Sequence, residues 1–493
     1  MSLLIENGTV LTAGQAATVL PNHSVLIENG CIARIGPKSQ FKRFAGKRID
    51  ASGKVVAPGF INAHTHFYST FARGLTTTKP AGNFVEVLKN LWWRLDSALT
   101  TEDCHYSALI ALLEAIRHGT TTLIDHHASP QAVGGSLAAI EKAVKQTGLR
   151  ACLCYELSDR DGARISKEGI EENVAFIRHC QRVVTSDRTA GSQPSTINSQ
   201  PATTALFGLH AAFTLKDATL AKAAALGQEL GAGFHIHVAE AESDQQYSQQ
   251  NHHMRVVERL NKFGILGPKS IAAHCVHVNR RELDILSQTQ TAVVHNPQSN
   301  LNNAVGIADV VGMVKQNVLV GLGTDAMTAN MLEEVRVAVW AQHHRAQDPS
   351  VGFGEVVSAL LVNNPKIAVR CFGLPLGELR EGCPADVVLI DYDPPTPLEA
   401  GDGGNPKTEN RKPKEIRNPK SESTAGLVRV LGSAGKRNNT FGHMVFGLSQ
   451  ATVDTTIVGG RVLMQNKRLT LDLDEPRINA RARELATKLW KRL

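Results

Sequence analysis

The sequence predicts an α/β protein, a (β/α)8 barrel of the TIM type joined to a small composite β-sandwich made from both ends of the chain. Three observations predict it. Apolar runs rich in β-branched residues recur at 55–66, 121–127, 150–157, 206–213, 233–240, 270–277, 291–300 and 318–325. Amphipathic stretches of helical period, among them 102–118, 215–230 and 254–263, separate most of these runs. Polar, titratable residues gather at the C-terminal ends of the runs, the face that carries chemistry in a β/α barrel. Periodicity alone does not tell a short apolar strand from a buried helix; here run length and β-branching decide for strands.

The elements follow in chain order. Residues 2–12, 24–35 and 47–57 alternate apolar and polar positions, and Glu-Asn-Gly occurs twice among them as a turn signal. They form the first part of the sandwich, residues 1–57. The barrel spans 58–380. Strand-like segments at 385–391, 443–446 and 455–463 supply the second part of the sandwich, 381–470, and a helix closes the chain over 471–493. Two polar, Ser/Thr/Pro/Gly/Asn-rich stretches, 185–204 and about 401–438, read as insertions grown from this body, the second as a disordered one.

Composition bounds the partners. With 42% hydrophobic and 20% charged residues in 493, the chain has the balance of a globular protein rather than a disordered one. No apolar run reaches the ~18 residues of a membrane span, and the N-terminus lacks the basic-then-apolar order of a signal peptide. The C-terminal Lys491-Arg492-Leu493 only half resembles a peroxisomal signal. Eight cysteines without a C-x-x-C pair suit reduced thiols in the cytoplasm. The net charge of +7 is concentrated: residues 401–440 hold nine Lys and Arg against four Asp and Glu. The remainder is nearly neutral, so neither a nucleic-acid face nor a membrane surface is expected.

The strand ends hold the candidate chemistry. His64 and His66 close the first run with one residue between them, so both imidazoles point to one side, toward the barrel mouth. Two neutral imidazoles on one face suit a divalent transition metal. The fifth run ends with His235, His237 and Glu240: one histidine to complete a ligand set, a second one alternation deeper as a packed or hydrogen-bonded group, and a carboxylate within reach of a bound water. His274 and His277 end the sixth run, and Asp325 is the lone carboxylate at the end of the eighth. His126 and His127 end the second run, facing the mouth or held structurally. His295, Ser299 and Asn300 end the seventh, where Asn300 either meets substrate or caps a turn. Phe67, Tyr68, Arg73, Trp92 and Trp93 follow the first strand, as a lid whose rings stack on a planar heterocycle or as a helix packed on the rim.

Taken in order, PGFINAHTH, HIHVAE, AAHCVH, NPQSN and LGTD resemble the amidohydrolase superfamily, in the branch of guanine, adenosine-type and triazine aminohydrolases. LKNLWWRLD, DHHASP with GGSL, and NNAVG are similar to the SsnA-type aminohydrolases within it. The resemblance implies His64, His66, His237 and Asp325 as metal ligands, Glu240 as the catalytic carboxylate and His274 as the histidine beside the reacting water. Asp325 also takes a catalytic role as that water's proton acceptor. It implies His210 and Asn300 as substrate contacts. The family's His-Ala-Pro pattern departs here to His210-Ala211-Ala212, which bends that loop. No lysine ends the fourth strand (Lys216 comes later), so one metal per chain is expected, Zn²⁺ first and Fe²⁺ second. The implied activity is a metal-dependent hydrolytic deaminase that releases ammonia from a small N-heterocycle, purine-like or a purine breakdown product. The alternatives are a ring-opening cyclic amidohydrolase or a chlorohydrolase using the same water, and then a catalytically dead metal-binding protein. A homodimer is a further expectation.

Overall fold

At Gly59 the chain passes from one sheet to another. The strand before it, Lys54–Pro58, pairs antiparallel with Val387–Asp391, whereas the strand after it, Phe60–Thr65, pairs in parallel with Thr120–His127. A side chain at Gly59 would bring its Cβ within 2.2 Å of Thr121 Oγ1, so the crossing needs glycine. The computed structural model describes residues 2–14, 18–76, 79–189, 202–399 and 439–493. The insertion expected at about 401–438 lies outside the described residues.

Parallel strands at Phe60–Thr65, Thr120–His127, Arg150–Tyr155, Thr203–Ala205 with Phe207–Ala211, Phe234–Val238, Ile271–His274, Ala292–His295 and Val320–Leu322 form a barrel. Bridges from Thr65 to Asp325 and from Leu157 to Leu209 join its two sheets into a closed ring of eight positions. The fourth position is one strand that changes partner. Thr203–Ala205 bonds to the third strand, the chain steps at Leu206, and Phe207–Ala211 bonds to the fifth. The expected TIM-type fold is observed.

Strands from both ends of the chain share a nine-stranded sheet. Its order runs from Arg468–Leu469 through Arg461–Gln465, Thr452–Val458, Val387–Asp391, Lys54–Pro58, Ser2–Leu11 and Val19–Glu28 to Cys31–Pro37, with Lys47–Asp50 added on Ser2–Leu11. Leu3, Ile5, Val25, Ile27, Val387 and Leu389 pack as one apolar cluster on it. A buried ion pair ties this sheet to the barrel: Arg150, opening the third barrel strand, donates from Nε and Nη2 to Asp386 at 2.7 and 3.0 Å. Among the described residues no helix is long and apolar enough to cross a membrane.

Two expectations fail locally. Residues 443–446 form part of a helix, Thr440–Phe446, not a strand. A run of four residues, His443-Met444-Val445-Phe446, fits either state, and packing against the helix Met331–Ala346 decides. The stretch 185–204 is not all loop, because the helix Ala163–Thr189 runs into it and Thr203–Thr204 already belong to the fourth barrel position. A nucleated helix gains one hydrogen bond for each residue it adds and does not stop where its apolar stripe ends. The rest of that stretch, 190–201, lies outside the described residues.

Candidate active site

Alternation along the first strand turns His64 and His66 to the same side, and the strand-end bridge brings Asp325 to them. Backbone N–H groups of Thr324 and Asp325 both donate to His64 O at 3.0 Å. Asp325 Oδ1 then lies 3.0 Å from His66 Nε2 and 3.7 Å from His64 Nε2. His237, from the end of the fifth strand, places its Nε2 3.3 Å from His66 Nε2. Backbone in the left-handed region at Ala239, His274 and Asp325 turns the chain sharply at three strand ends. Such strain in non-glycine residues collects where a site over-determines the backbone.

The outer nitrogens of these rings are committed. His66 Nδ1–H donates to His126 O, and His237 Nδ1–H donates to His210 O at 2.8 Å. Their Nε2 atoms face each other at 3.3 Å, a contact relieved either by a proton on His66 Nε2 shared with Asp325 Oδ1 or by a cation bound between them. His64 Nδ1 meets His235 Nε2 at 2.9 Å, and its own Nε2 is buried without a hydrogen-bond partner. Burial pushes the His64 imidazole well below its ordinary pKa, so it stays neutral. Burial alone would raise Asp325, yet the hydrogen bond and charge of His66 hold its carboxyl below the usual carboxylate range. Against the cost of burial, neighbouring carboxylates favour the protonated His66 ring, whereas His64 and His237 are held neutral. Three imidazoles and a carboxylate converging here are the donor set of a borderline divalent metal, which would displace the His66 proton.

Beside this cluster stand Glu240 and His274. Glu240 Oε2 lies 3.5 Å from His274 Nε2. Burial, with the Asp325 charge added, pushes the Glu240 carboxyl well above its ordinary pKa. Burial takes the His274 imidazole down to about 3, so it is neutral at neutral pH. Asp244 accepts from the backbone N–H of Glu240 at 3.0 Å and fixes the turn that carries it.

These groups open into a pocket whose empty space, mouth included, totals about 610 Å³. Tyr68, Trp92, Trp93, Phe84 and Phe213 line it, and His210 reaches it. His210 is held by its Nδ1 on Thr214 Oγ1 at 2.9 Å, and the short turn Ala212–Thr214 follows it directly.

Some expected residues sit elsewhere. Asn300 does not line the pocket; it is fully buried and its Nδ2 donates to His274 Nδ1 at 2.8 Å. Arg73 turns away from the pocket to pair with Glu114. His235 and His126 are buried and stack at 4.4 Å, and His127 is tied to Ser129 Oγ at 2.9 Å. His295 is buried and its ring nitrogens form no hydrogen bond.

Other residues that line the pocket were not singled out from the sequence. Glu156, just past the third strand, has Oε1 3.2 Å from His66 Nδ1 and Oε2 3.8 Å from His210 Nε2. Its position at a strand end was the available signal. Asp96 and Arg160 form an ion pair at the pocket wall, with the Arg160 guanidinium over the Trp93 ring at 5.2 Å. Nothing local in the sequence joins residues so far apart.

Residues 55–463 match the Amidohydrolase family. The chain belongs to that family. Among relatives of this amidohydrolase, a 5'-deoxyadenosine deaminase of Methanobrevibacter smithii is 31% identical, over 94% of this chain and 93% of the relative. A 5-methylthioadenosine/S-adenosylhomocysteine deaminase of Carboxydothermus hydrogenoformans is 30% identical, over 99% and 98%. In fold, the amidohydrolase is similar to an adenosine deaminase from Xanthomonas campestris with bound zinc, at a TM-score of 0.74 and 22% identity, covering 99% of this chain and 98% of the other.

Proposed function

We propose that this amidohydrolase is a metal-dependent hydrolytic deaminase that converts the C–NH₂ of a purine-like N-heterocycle to C=O and releases ammonia. The observation that carries the metal is the convergence of His66 Nε2 and His237 Nε2 at 3.3 Å, with Asp325 Oδ1 3.0 Å from His66 Nε2 and an unpartnered His64 Nε2. The residues that would hold it are His64, His66, His237 and Asp325, one ion per chain, zinc before iron. A divalent metal bound there supplies a water whose pKa falls from 15.7 to about 7.

The chain's own groups do the rest. Asp325 Oδ2 takes the proton from the attacking water, and His274 Nε2, at 3.8 Å from that oxygen, donates to the oxygen as it gains charge. Glu240, kept protonated by burial, gives its proton to the ring nitrogen or to the departing amine. One water is consumed and one ammonia leaves, so the reaction balances without another reactant. Tyr68, Trp92, Trp93 and Phe213 offer ring faces and edges to a planar substrate, which supports a heterocycle over a linear amide. The relatives' names, a 5'-deoxyadenosine and a 5-methylthioadenosine/S-adenosylhomocysteine deaminase, favour the purine class.

The test is a metal-analysed preparation assayed on purines and their nucleosides for ammonia release, with ring absorbance followed in parallel. Ammonia released while the ring chromophore persists supports deamination. Loss of the chromophore without ammonia supports ring opening and overturns the reading. Glu240→Gln should keep its metal and lose ~10²–10⁴ in kcat, the scale of acid/base assistance.

A further inference from the structure

Beyond the strand-seven Ser-Asn lies the segment Asn302-Asn303-Ala304-Val305-Gly306, which the reaction above leaves without a part. Asn303 stands on the pocket wall, one helical turn after Ser299. Its Nδ2 donates to Glu240 Oε1 at 3.3 Å and to Ser299 Oγ at 3.3 Å. Ser299 in turn donates its hydroxyl to Asp325 Oδ2. The polarity of this chain is forced. The Ser299 hydroxyl has a single hydrogen, and Asp325 Oδ2 takes it. Ser299 Oγ must then accept, which turns the amide nitrogen of Asn303 inward. The amide oxygen points the other way and accepts from Asn302 Nδ2 at 3.2 Å.

We propose that Asn303 is a positioning residue that decides which oxygen of Glu240 carries the transferable proton. The proposal rests on the deaminase reading, in which Glu240 delivers that proton. With an N–H directed at Oε1, a proton on that oxygen would face another hydrogen, so the proton resides on Oε2. Oε2 lies on the side of the reacting groups, 3.5 Å from His274 Nε2, which makes no hydrogen bond to it. During turnover the proton leaves Oε2 for the substrate nitrogen, and Oε1 stays on the amide throughout. Asn303 thereby holds the carboxyl in one rotamer across both protonation states, and its partner Ser299 ties the same network to Asp325. The Glu240 and Asp325 carboxyls are thus linked through two side chains, Asn303 and Ser299.

Asn303→Asp tests this because the side chain keeps its size and shape but loses the donor. Losing a hydrogen bond to a charged or proton-carrying group costs roughly ten- to hundredfold, and the proposal places that loss in kcat with KM and metal content unchanged. Asn303→Ala should lose a similar factor, and it serves if the aspartate variant fails to fold. A cycle with Glu240→Gln provides the second readout. Once Glu240 cannot transfer a proton, changing Asn303 should cost less than about threefold further. Wild-type kcat in Asn303→Asp, or a full independent loss added to that of Glu240→Gln, would overturn the proposal. So would a loss confined to KM or to metal content. Failure of the deaminase reading looks different: the wild-type enzyme would release no ammonia, or Glu240→Gln would be fully active.

Discussion

Asn300 donates from Nδ2 to His274 Nδ1 at 2.8 Å, and that bond decides how the imidazole carries its proton. A neutral ring that accepts at Nδ1 holds its hydrogen on Nε2. That hydrogen is directed to the space between Glu240 Oε2 and Asp325 Oδ2, at 3.5 and 3.8 Å. Asn300 therefore meets His274 and not the pocket.

Asn300→Asp should reverse the tautomer. The introduced carboxylate accepts from Nδ1–H and leaves a lone pair on Nε2, where the reaction needs a donor. Turnover should fall by ~10²–10⁴ with one metal per chain retained. Steady-state kinetics beside elemental analysis decide the matter, and an unchanged kcat would place His274 outside the reaction.

His235 holds His64 by the 2.9 Å contact between Nε2 and Nδ1 and is itself out of reach of the pocket. Outer partners of metal-bound histidines are worth about 10–100-fold in metal affinity or activity. His235→Ala should weaken zinc binding by that factor, measured by competition with a chelating dye, and excess zinc should restore turnover. His237→Ala should not be restored. If the two behave alike, His235 is itself a ligand.

The Arg150–Asp386 pair is a matter of stability, not catalysis. Both side chains are nearly inaccessible, at 4% and 2% exposure, so solvent does not screen them. Removing one partner of a buried pair costs about 3–5 kcal/mol. Asp386→Ala also removes the acceptor for the backbone N–H of Gly459 at 2.8 Å. Urea unfolding should show the loss, while KM of the folded enzyme stays as it was. A change below about 1 kcal/mol would mean that the barrel and the outer sheet are held together mainly by apolar contact.

Burial raises the Asp244 carboxyl to about 7 in the folded chain, against about 3.9 when unfolded. The folded state binds this proton more tightly, so the contribution is complete below the unfolded value and fades as pH rises through about 7. Asp244→Asn cannot ionise and should lose less stability than wild type between acidic and mildly alkaline buffer. Parallel urea midpoints for the two proteins across that range would contradict this.

Much of the fold and part of the site could be read from the sequence, and the failures share a cause. Barrel strands announce themselves as β-branched runs, and titratable groups at their ends mark the mouth, so His64, His66, His237, Glu240, His274 and Asp325 were each assigned there from residue order. Orientation within an irregular turn is not written in that order. Ser299 and Asn303 are four apart on one helical face toward the pocket, whereas Asn300 is one position on, about 100° around, and meets His274 instead. The phase of that helix depends on how Pro297–Asn302 packs, a tertiary fact. Asp96 and Arg160 meet across 64 positions, and no local pattern joins them. The run at 443–446 was too short for its period to choose between strand and helix.

The pairing of Lys54–Pro58 with Val387–Asp391 also sets a timetable for synthesis. Lys54 and its partner Asp391 are 337 positions apart. At roughly 5–20 residues per second, the early strand waits ~15–70 s on the ribosome before its neighbour exists. Val55 and Val56, fully covered in the finished protein, spend that interval beside an open edge. All eight barrel positions precede residue 387 in the chain, so that edge stays open until after the last barrel strand has been made.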